Sequence, residues 1–331
     1  MFNLKNYNTF NLTVYAQEGR EINSVDDLTA PVTEPYIILG GGSDVLFTED
    51  FAGTVLINKI AGLEIKEEID CYKVRAGGGL ILDDLIVTLL NQGISGLENL
   101  SLIPGTVGAA PIQNVGAYGV EIGSLIQSVE VIDLKTLKKS CLSAQECCFD
   151  YRYSIFKEYS HRSCFITYVN FKLPKCFKPV QNYAGLQSYV FNDALSLRER
   201  VIALRNEKLP NPKFVGNAGC FFKNPYVDSA KLKDLQNEFG SLPFYPADNG
   251  NYKLAAGWLI DKANCRGIKH GQVGTWGQQA LVIVNLGNAK PHEIVALAKY
   301  ISAEVKSKFA IDLVPEVRLY GKHGEKAWEQ I

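Results

Sequence analysis

Glycine, hydroxyl and amide side chains concentrate in two stretches of this chain, GGGSDVLF at 40–47 and IPGTVGAAPIQNVGAYG at 103–119. Lacking a Cβ, a glycine lets the backbone approach a ligand closely and take positive φ, so that successive N–H groups form a nest for an anion such as a diphosphate. Tight turns use the same residues, and a run as short as Gly40, Gly41 and Gly42 does not decide between the two. The second stretch says more, because Gln113, Asn114 and Tyr118 can fix heterocycle or ribose edges while glycines hold the main chain close. Neither stretch has P-loop spacing or the GxGxxG fingerprint, so a bound dinucleotide would point away from a Rossmann fold. A third segment, NEKLPNPKFVGNAGCFFKNP at 206–225, sets Cys220 between small residues and an aromatic pair, with Lys208, Lys223 and Asn224 nearby in sequence. A thiol with the ordinary pKa near about 8.5 is mostly protonated at neutral pH and can act as general acid to a strongly basic carbanion or enolate. For a single cysteine, a small buried apolar residue is the plainer reading.

The elements that would position these segments follow from periodicity. Residues 35–39 and 45–47 read as strands on either side of the first glycine loop, and 62–75 as a hairpin leading into Gly77, Gly78 and Gly79. Leu82, Leu85, Ile86 and Leu89 recur at helical spacing and stop at Gly93. Strands are expected over 126–134 and 164–173, and Ser143 with Glu146 has capping-box spacing for a short helix between them. Leu197, Val201 and Leu204 form a helix stripe that must end before Pro210 and Pro212, which makes 209–215 the best domain boundary. Beyond it, 253–262 reads as helix and 280–285 as a buried strand. Pro291 opens a long helix with Ile294, Leu297, Ala298, Ile301 and Val305 on its apolar face, and 311–319 returns as a strand. The pattern is α+β, without repeats.

With 331 residues the chain exceeds the size of one hydrophobic core, and its 47% hydrophobic and 21% charged residues are those of a globular protein of more than one domain. The 34 basic and 35 acidic side chains leave a net charge of -1, which gives no broad attraction for nucleic acid or an anionic membrane. No secretion signal or membrane-spanning run is expected, and the eight cysteines lack CxxC pairs, as in reduced cytoplasmic proteins. Four histidines form no HExxH motif and no cluster with cysteine, so no metal site is expected.

Taken in order along the chain, Asn8-Thr9-Phe10, GGGSDVLF, GLENLSLIPGTVGAAPIQNVGAYG, DYRYSIFK, NAGCFFKNP and PEVRLYG at 315–321 resemble the UDP-N-acetylenolpyruvoylglucosamine reductases, specifically the longer class with a complete third domain. The resemblance implies an FAD-binding fold of the vanillyl-alcohol-oxidase type in two domains, 1–60 (with the tail 320–331) and 61–210. A third α+β domain, 211–319, binds substrate. It implies non-covalent FAD held by Gly41, Gly42, Ser43 and Asp44, by Ile103, Pro104, Gly105 and Thr106, and by Gln113, Asn114, Gly116, Ala117, Tyr118 and Gly119. Arg152 matches the arginine beside the substrate carboxylate, Cys220 the proton donor, which is serine in many members, and Glu316 the carboxylate near the enol. Tyr183, Lys208, Asn224, Tyr245 and Gln279 match positions on the sugar, diphosphate or uridine of the UDP-sugar substrate.

The implied reaction is NADPH-dependent reduction to UDP-N-acetylmuramate in peptidoglycan precursor synthesis. The enzyme would be cytoplasmic, with NADPH as co-substrate and no obligate protein partner. Two departures stand out. Asp44 replaces a usual asparagine and would put a second anion near the FAD phosphates unless it points away or meets a cation. Ala109 and Ala110 replace serines of some relatives. An alcohol-oxidising flavoprotein on the same scaffold and a silent nucleotide-sugar binder are the alternatives; the presence of Arg152, Cys220 and Glu316 disfavours both.

Overall fold

The computed structural model describes residues 1–331 apart from the side chain of Asp248. In chain order the first elements are β1 (Phe2–Asn3), β2 (Tyr15–Ile22), β3 (Tyr36–Leu39), β4 (Val45–Phe47), β5 (Phe51–Asn58), β6 (Leu63–Glu67), β7 (Cys71–Gly77) and α1 (Leu82–Leu90). There follow β8 (Gly116–Ala117), β9 (Val120–Glu121), β10 (Ile126–Asp133), β11 (Lys139–Ser143), β12 (Cys164–Pro174) and α2 (Ala194–Lys208). The remainder is β13 (Gly216–Cys220), β14 (Tyr226–Val227), α3 (Ser229–Phe239), β15 (Phe244–Pro246), β16 (Tyr252–Leu254), α4 (Ala256–Lys262), β17 (Lys269–His270), β18 (Val273–Trp276), β19 (Gln279–Asn285), α5 (Pro291–Phe309), β20 (Arg318–Gly321) and β21 (Gly324–Lys326).

Two compact units divide the chain. One comprises Gln17–Gly42 and Gly53–Asn206. In it β3 runs parallel to β5, with Ile37 opposite Val55, and a five-stranded sheet has the order β11-β10-β12-β7-β6 with antiparallel neighbours. The α1 stripe of Leu82, Leu85, Ile86 and Leu89 packs into one core with Val74, Val129, Val169 and Phe171 of the sheet. Gly93, at φ 74, closes that helix: the Ile94 N–H reaches back to the Leu89 carbonyl at 2.9 Å, as a helix-ending glycine should allow. A satellite cluster gathers Leu197, Val201 and Leu204 of α2 with Tyr118, Leu186 and Phe191.

The other unit comprises Met1–Ala16, Ser43–Ala52 and Glu207–Ile331. Its central sheet, in the order β13-β19-β18-β17, carries the buried run of β19. The expected face of α5 is buried throughout, from Ile294 to Val305, and Pro291 stands at its start. Burying a Leu or Ile side chain contributes about 1.5–3 kcal/mol, so this stripe, rather than helix propensity, holds α5 in place. Two small sheets complete the unit, β14-β16-β15 and β21-β20-β4, the last pairing parallel between β20 and β4.

Three local expectations need correction. Residues 253–262 are not one helix, because Tyr252–Leu254 is the middle strand of β14-β16-β15, hydrogen-bonded on both edges, and α4 begins only at Ala256. Ser143 and Glu146 do make the reciprocal capping bonds, at 2.8 and 3.3 Å, but only a turn follows, since Cys148 takes a left-handed φ of 49. The stretch 311–319 buries Ile311, Leu313 and Val317 alternately as a strand would, yet regular pairing starts at Arg318. Pro315 has no N–H for a ladder and makes a single bridge to Phe222.

Candidate active site

Three glycine clusters of the 17–42 and 53–206 unit meet backbone to backbone. A Cβ on Gly40 would stand 2.3 Å from Thr106 Oγ1, and one on Gly41 3.0 Å from Gly105 Cα. The N–H of Gly108 donates to the Gly78 carbonyl at 2.8 Å, which adds the 77–79 cluster that sequence reading left outside the site. In this wall lie Thr106 Oγ1 and Gln113 Oε1, both buried and without a hydrogen-bond partner in the protein. An unsatisfied buried polar atom costs about 1–3 kcal/mol, so two of them in the expected flavin segment are what a bound cofactor would need to satisfy. The residues present fit FAD: close-packed glycine backbone, an orphan hydroxyl and an orphan amide oxygen.

Further along, Asn114 sits in the left-handed region at φ 46, and its side chain is committed to the protein. Its amide donates to Glu121 Oε2 at 2.8 Å and to the Asp150 carbonyl at 3.1 Å, and its oxygen accepts from the Gly123 N–H at 2.8 Å. The Asp150 bond fastens the flavin segment to the loop that carries Arg152, itself at φ 54 and with its carbonyl accepting from Lys157 Nζ at 3.3 Å. Tyr118 is buried at φ 51, and the Tyr183 ring lies edge-on to it at 5.1 Å. So Thr106, Gln113, Asn114 and Tyr118, with Arg152 and Tyr183 tied to them, share one unit.

Residues of the other unit assemble around β13. Cys220, half-buried, ends that strand opposite Val282, at a register shift where Gly219 takes φ 72. The next residue is held from both sides: the Phe221 N–H donates to the Leu281 carbonyl at 2.8 Å, and the Phe221 carbonyl accepts from the Glu316 N–H at 2.8 Å. The segments that carry Cys220 and Glu316 are thereby joined at Phe221, although almost a hundred residues separate them in sequence. Asn224 and Gln279 meet at the first turn of α4, where Asn224 Oδ1 accepts from the Ala256 N–H at 2.9 Å and Gln279 Oε1 would touch a Cβ on Gly257 at 2.8 Å. Tyr245 is half exposed on β15, opposite Lys253, while Lys208 is exposed at the end of α2.

Asp44 meets a cation. Its carbonyl accepts from the Arg318 N–H at 3.0 Å, and Arg318 forks onto Glu325 at 3.0 and 2.8 Å. Burial alone would push the Arg318 guanidinium down, but Tyr320, Glu325 and Asp44 more than offset it and hold it above its ordinary value.

Comparison with known proteins covers both units. An FAD-binding domain model matches residues 12–136, and a model of the UDP-N-acetylenolpyruvoylglucosamine reductase C-terminal domain matches 211–320. The UDP-N-acetylenolpyruvoylglucosamine reductase of Pectobacterium atrosepticum is 42% identical over 98% of this chain and 96% of its own length. The chain belongs to that family. Enzymes of the same name from Escherichia coli K12 and Bacteroides fragilis are 42% and 41% identical, over 97% and 96% of this chain and 96% and 98% of their own. The structure of the UDP-N-acetylenolpyruvylglucosamine reductase of Thermus caldophilus, 23% identical, superimposes with a TM-score of 0.66 over 96% of this chain and 97% of its own, which shows a shared fold. Membership in the reductase family makes the chain an FAD-dependent oxidoreductase, with an FAD-binding domain in the expected α+β fold. No helix of the reductase is long and apolar enough to cross a membrane, and among the described residues no cluster could hold a metal ion.

Sequence reading missed Asn58, Asp83, Asn99 and Arg318. Asn58 and Asn99 are nearly fully buried, with both amide protons or the amide oxygen bonded to main chain; the signal available was an amide standing inside an otherwise apolar stretch, as in LINKI or GLENLSLI.

Proposed function

We propose that this chain reduces the enolpyruvyl ether of UDP-N-acetylenolpyruvoylglucosamine to the lactyl ether of UDP-N-acetylmuramate, with NADPH as electron donor, in cytoplasmic peptidoglycan precursor synthesis. The observation that supports the reading is the backbone hydrogen bond from the Glu316 N–H to the carbonyl of Phe221, the residue after Cys220, which brings the two segments together. A proton donor and a carboxylate on two segments joined in this way suit a substrate that must be protonated at carbon.

FAD is held non-covalently by Gly41, Gly42, Ser43 and Asp44 and by the segments 103–106 and 113–119, and supplies the capacity to store an electron pair between donor and acceptor. Tyr183, Lys208, Asn224, Tyr245 and Gln279 bind the sugar, diphosphate and uridine. Arg152 receives the enolpyruvyl carboxylate: its planar fork orients the group and stabilises the charge that grows there when the vinyl terminus is reduced. Cys220 delivers its proton to the carbon next to that carboxylate. The thiolate left behind recovers its proton from water, and Glu316 is the carboxylate that orients that water. The division into 1–60, 61–210 and 211–319 belongs to this reading, with substrate contacts drawn chiefly from the last.

The test is the absorbance of the purified protein. It should be yellow, bleach with NADPH under anaerobic conditions, and recover its colour when the enolpyruvyl nucleotide is added, with UDP-N-acetylmuramate formed. A protein that is colourless after reconstitution with FAD would remove the reading altogether. One reoxidised by small alcohols' carbonyl products or by oxygen alone, and not by the nucleotide, would remove the substrate.

A further inference from the structure

Asn99 is 1% exposed and lies in the turn just before the second glycine segment. An asparagine amide carries two N–H donors, and here both reach main-chain carbonyls: Tyr118 at 2.9 Å and Val180 at 2.8 Å. The two acceptors belong to stretches far apart in sequence. Tyr118 is part of the flavin segment. Val180 lies in 177–182, which forms no helix or strand of its own and leads directly to Tyr183.

Two more contacts close the same junction. A Cβ on Gly119, at φ 88, would come within 3.2 Å of Val180 Cγ1, so the Val180 side chain packs against the Gly119 backbone more tightly than a larger residue there would allow. The Tyr183 ring meets Tyr118 edge-on at 5.1 Å, while Tyr118 is itself fixed in the cluster with Leu197, Val201 and Leu204. A loop without a hydrogen-bonded ladder has many conformations open to it, and fastening one carbonyl by a buried amide removes most of them.

We propose that Asn99 is a positioning residue for the nucleotide: it clamps the Tyr183 loop to the flavin segment, so that Tyr183 is presented to the UDP-sugar in a fixed place. This rests on Tyr183 touching the nucleotide, as argued above. Asn99 itself touches neither substrate nor cofactor.

The experiment uses the FAD-loaded enzyme and three variants, Asn99→Ala, Tyr183→Ala and the double substitution. Asn99→Ala should keep its flavin absorbance and its rate of reduction by NADPH, while KM for the enolpyruvyl nucleotide rises about tenfold with kcat little changed. Because Asn99 acts through Tyr183, the double variant should have the KM of Tyr183→Ala alone. If Asn99→Ala loses its fold or its flavin, Val180→Gly loosens the same carbonyl and should raise KM in the same way. The proposal is overturned if KM rises in Tyr183→Ala but is unchanged in the folded Asn99→Ala and Val180→Gly enzymes, or if the Asn99 and Tyr183 effects multiply. An unchanged KM in Tyr183→Ala would instead take away the nucleotide contact itself, and the clamp's purpose with it.

Discussion

Cys220 ends β13 at a register shift, next to the backbone bond from Glu316 to Phe221, and its proposed role as the acid can be tested one half-reaction at a time. Only the second of the two half-reactions needs a proton delivered to carbon. In Cys220→Ala the flavin should therefore be reduced by NADPH at a near-normal rate, whereas its reoxidation by the enolpyruvyl nucleotide should slow by roughly 100-fold or more. Cys220→Ser should retain much of the activity, since a hydroxyl in the same place can protonate so basic an acceptor. Stopped-flow absorbance separates the two steps, and parent-rate reoxidation in Cys220→Ala would transfer the acid role to Glu316 or water. At this scale the sequence was informative about residue type and mute about company. Cys220 stood out through its small and aromatic neighbours, but nothing local paired it with Glu316. Likewise Asp44 looked like a liability beside phosphates until the parallel pairing of β4 with β20 placed Arg318 against it.

Between elements, the fork of Arg198 on α2 to Asp83 in the first turn of α1, at 2.6 and 2.9 Å, does for the helices what Asn99 does for the loops. Asp83 also accepts from the Leu102 N–H at 2.8 Å, which ties both helices to the start of the flavin segment. Burial alone would raise the Asp83 carboxyl, but Arg198, the Leu102 N–H and Arg205 together hold it below the usual carboxylate range. A depressed carboxylate contributes stability that is present above its unfolded pKa, near about 3.9, and is lost as pH falls through the folded value. Asp83→Asn keeps an acceptor for Leu102 but removes the charge, and should lower unfolding free energy by about 1–2 kcal/mol, the partial exposure of the pair keeping the figure modest. Denaturant titrations should show that difference flat from about pH 5 to 8 and shrinking below about pH 4; a difference that does not depend on pH would assign the effect to packing. The helices themselves were legible because their apolar stripes repeat every three to four residues, as Leu82 to Leu89 and Ile294 to Val305 do. Illegible were the places where long-range pairing overrides local pattern: Tyr252–Leu254 becomes a strand because β14 and β15 flank it, and 311–317 alternates like a strand but finds no ladder.

For the molecule as a whole, cofactor binding should appear as stability. The orphan atoms Thr106 Oγ1 and Gln113 Oε1 and the close-packed glycines all lie in the unit formed by 17–42 and 53–206, so that unit carries a cost that FAD would relieve. A ligand that binds only the native state stabilises it by RT ln(1 + [L]/Kd), about 2.7 kcal/mol when FAD is present at about 100 times its Kd. In a cooperative unit of about 150–250 residues each kcal/mol moves Tm by about 2–4 °C, so the transition of the unit that holds FAD should move up by about 5–10 °C relative to the apoprotein. Where two transitions are resolved, the shift should belong to the one that also loses amide protection at 103–119. Hydrogen exchange makes the location explicit. If the proposed contacts hold, FAD should slow exchange at 40–42 and across 103–119 and leave α5 unchanged, since its protection comes from Ile294, Leu297, Ile301 and Val305 packed in the other unit's core. An apoprotein that melts at the same temperature as the FAD-loaded form, or FAD-dependent protection confined to residues outside these segments, would show that the glycine wall is a packing feature and that the cofactor is held elsewhere.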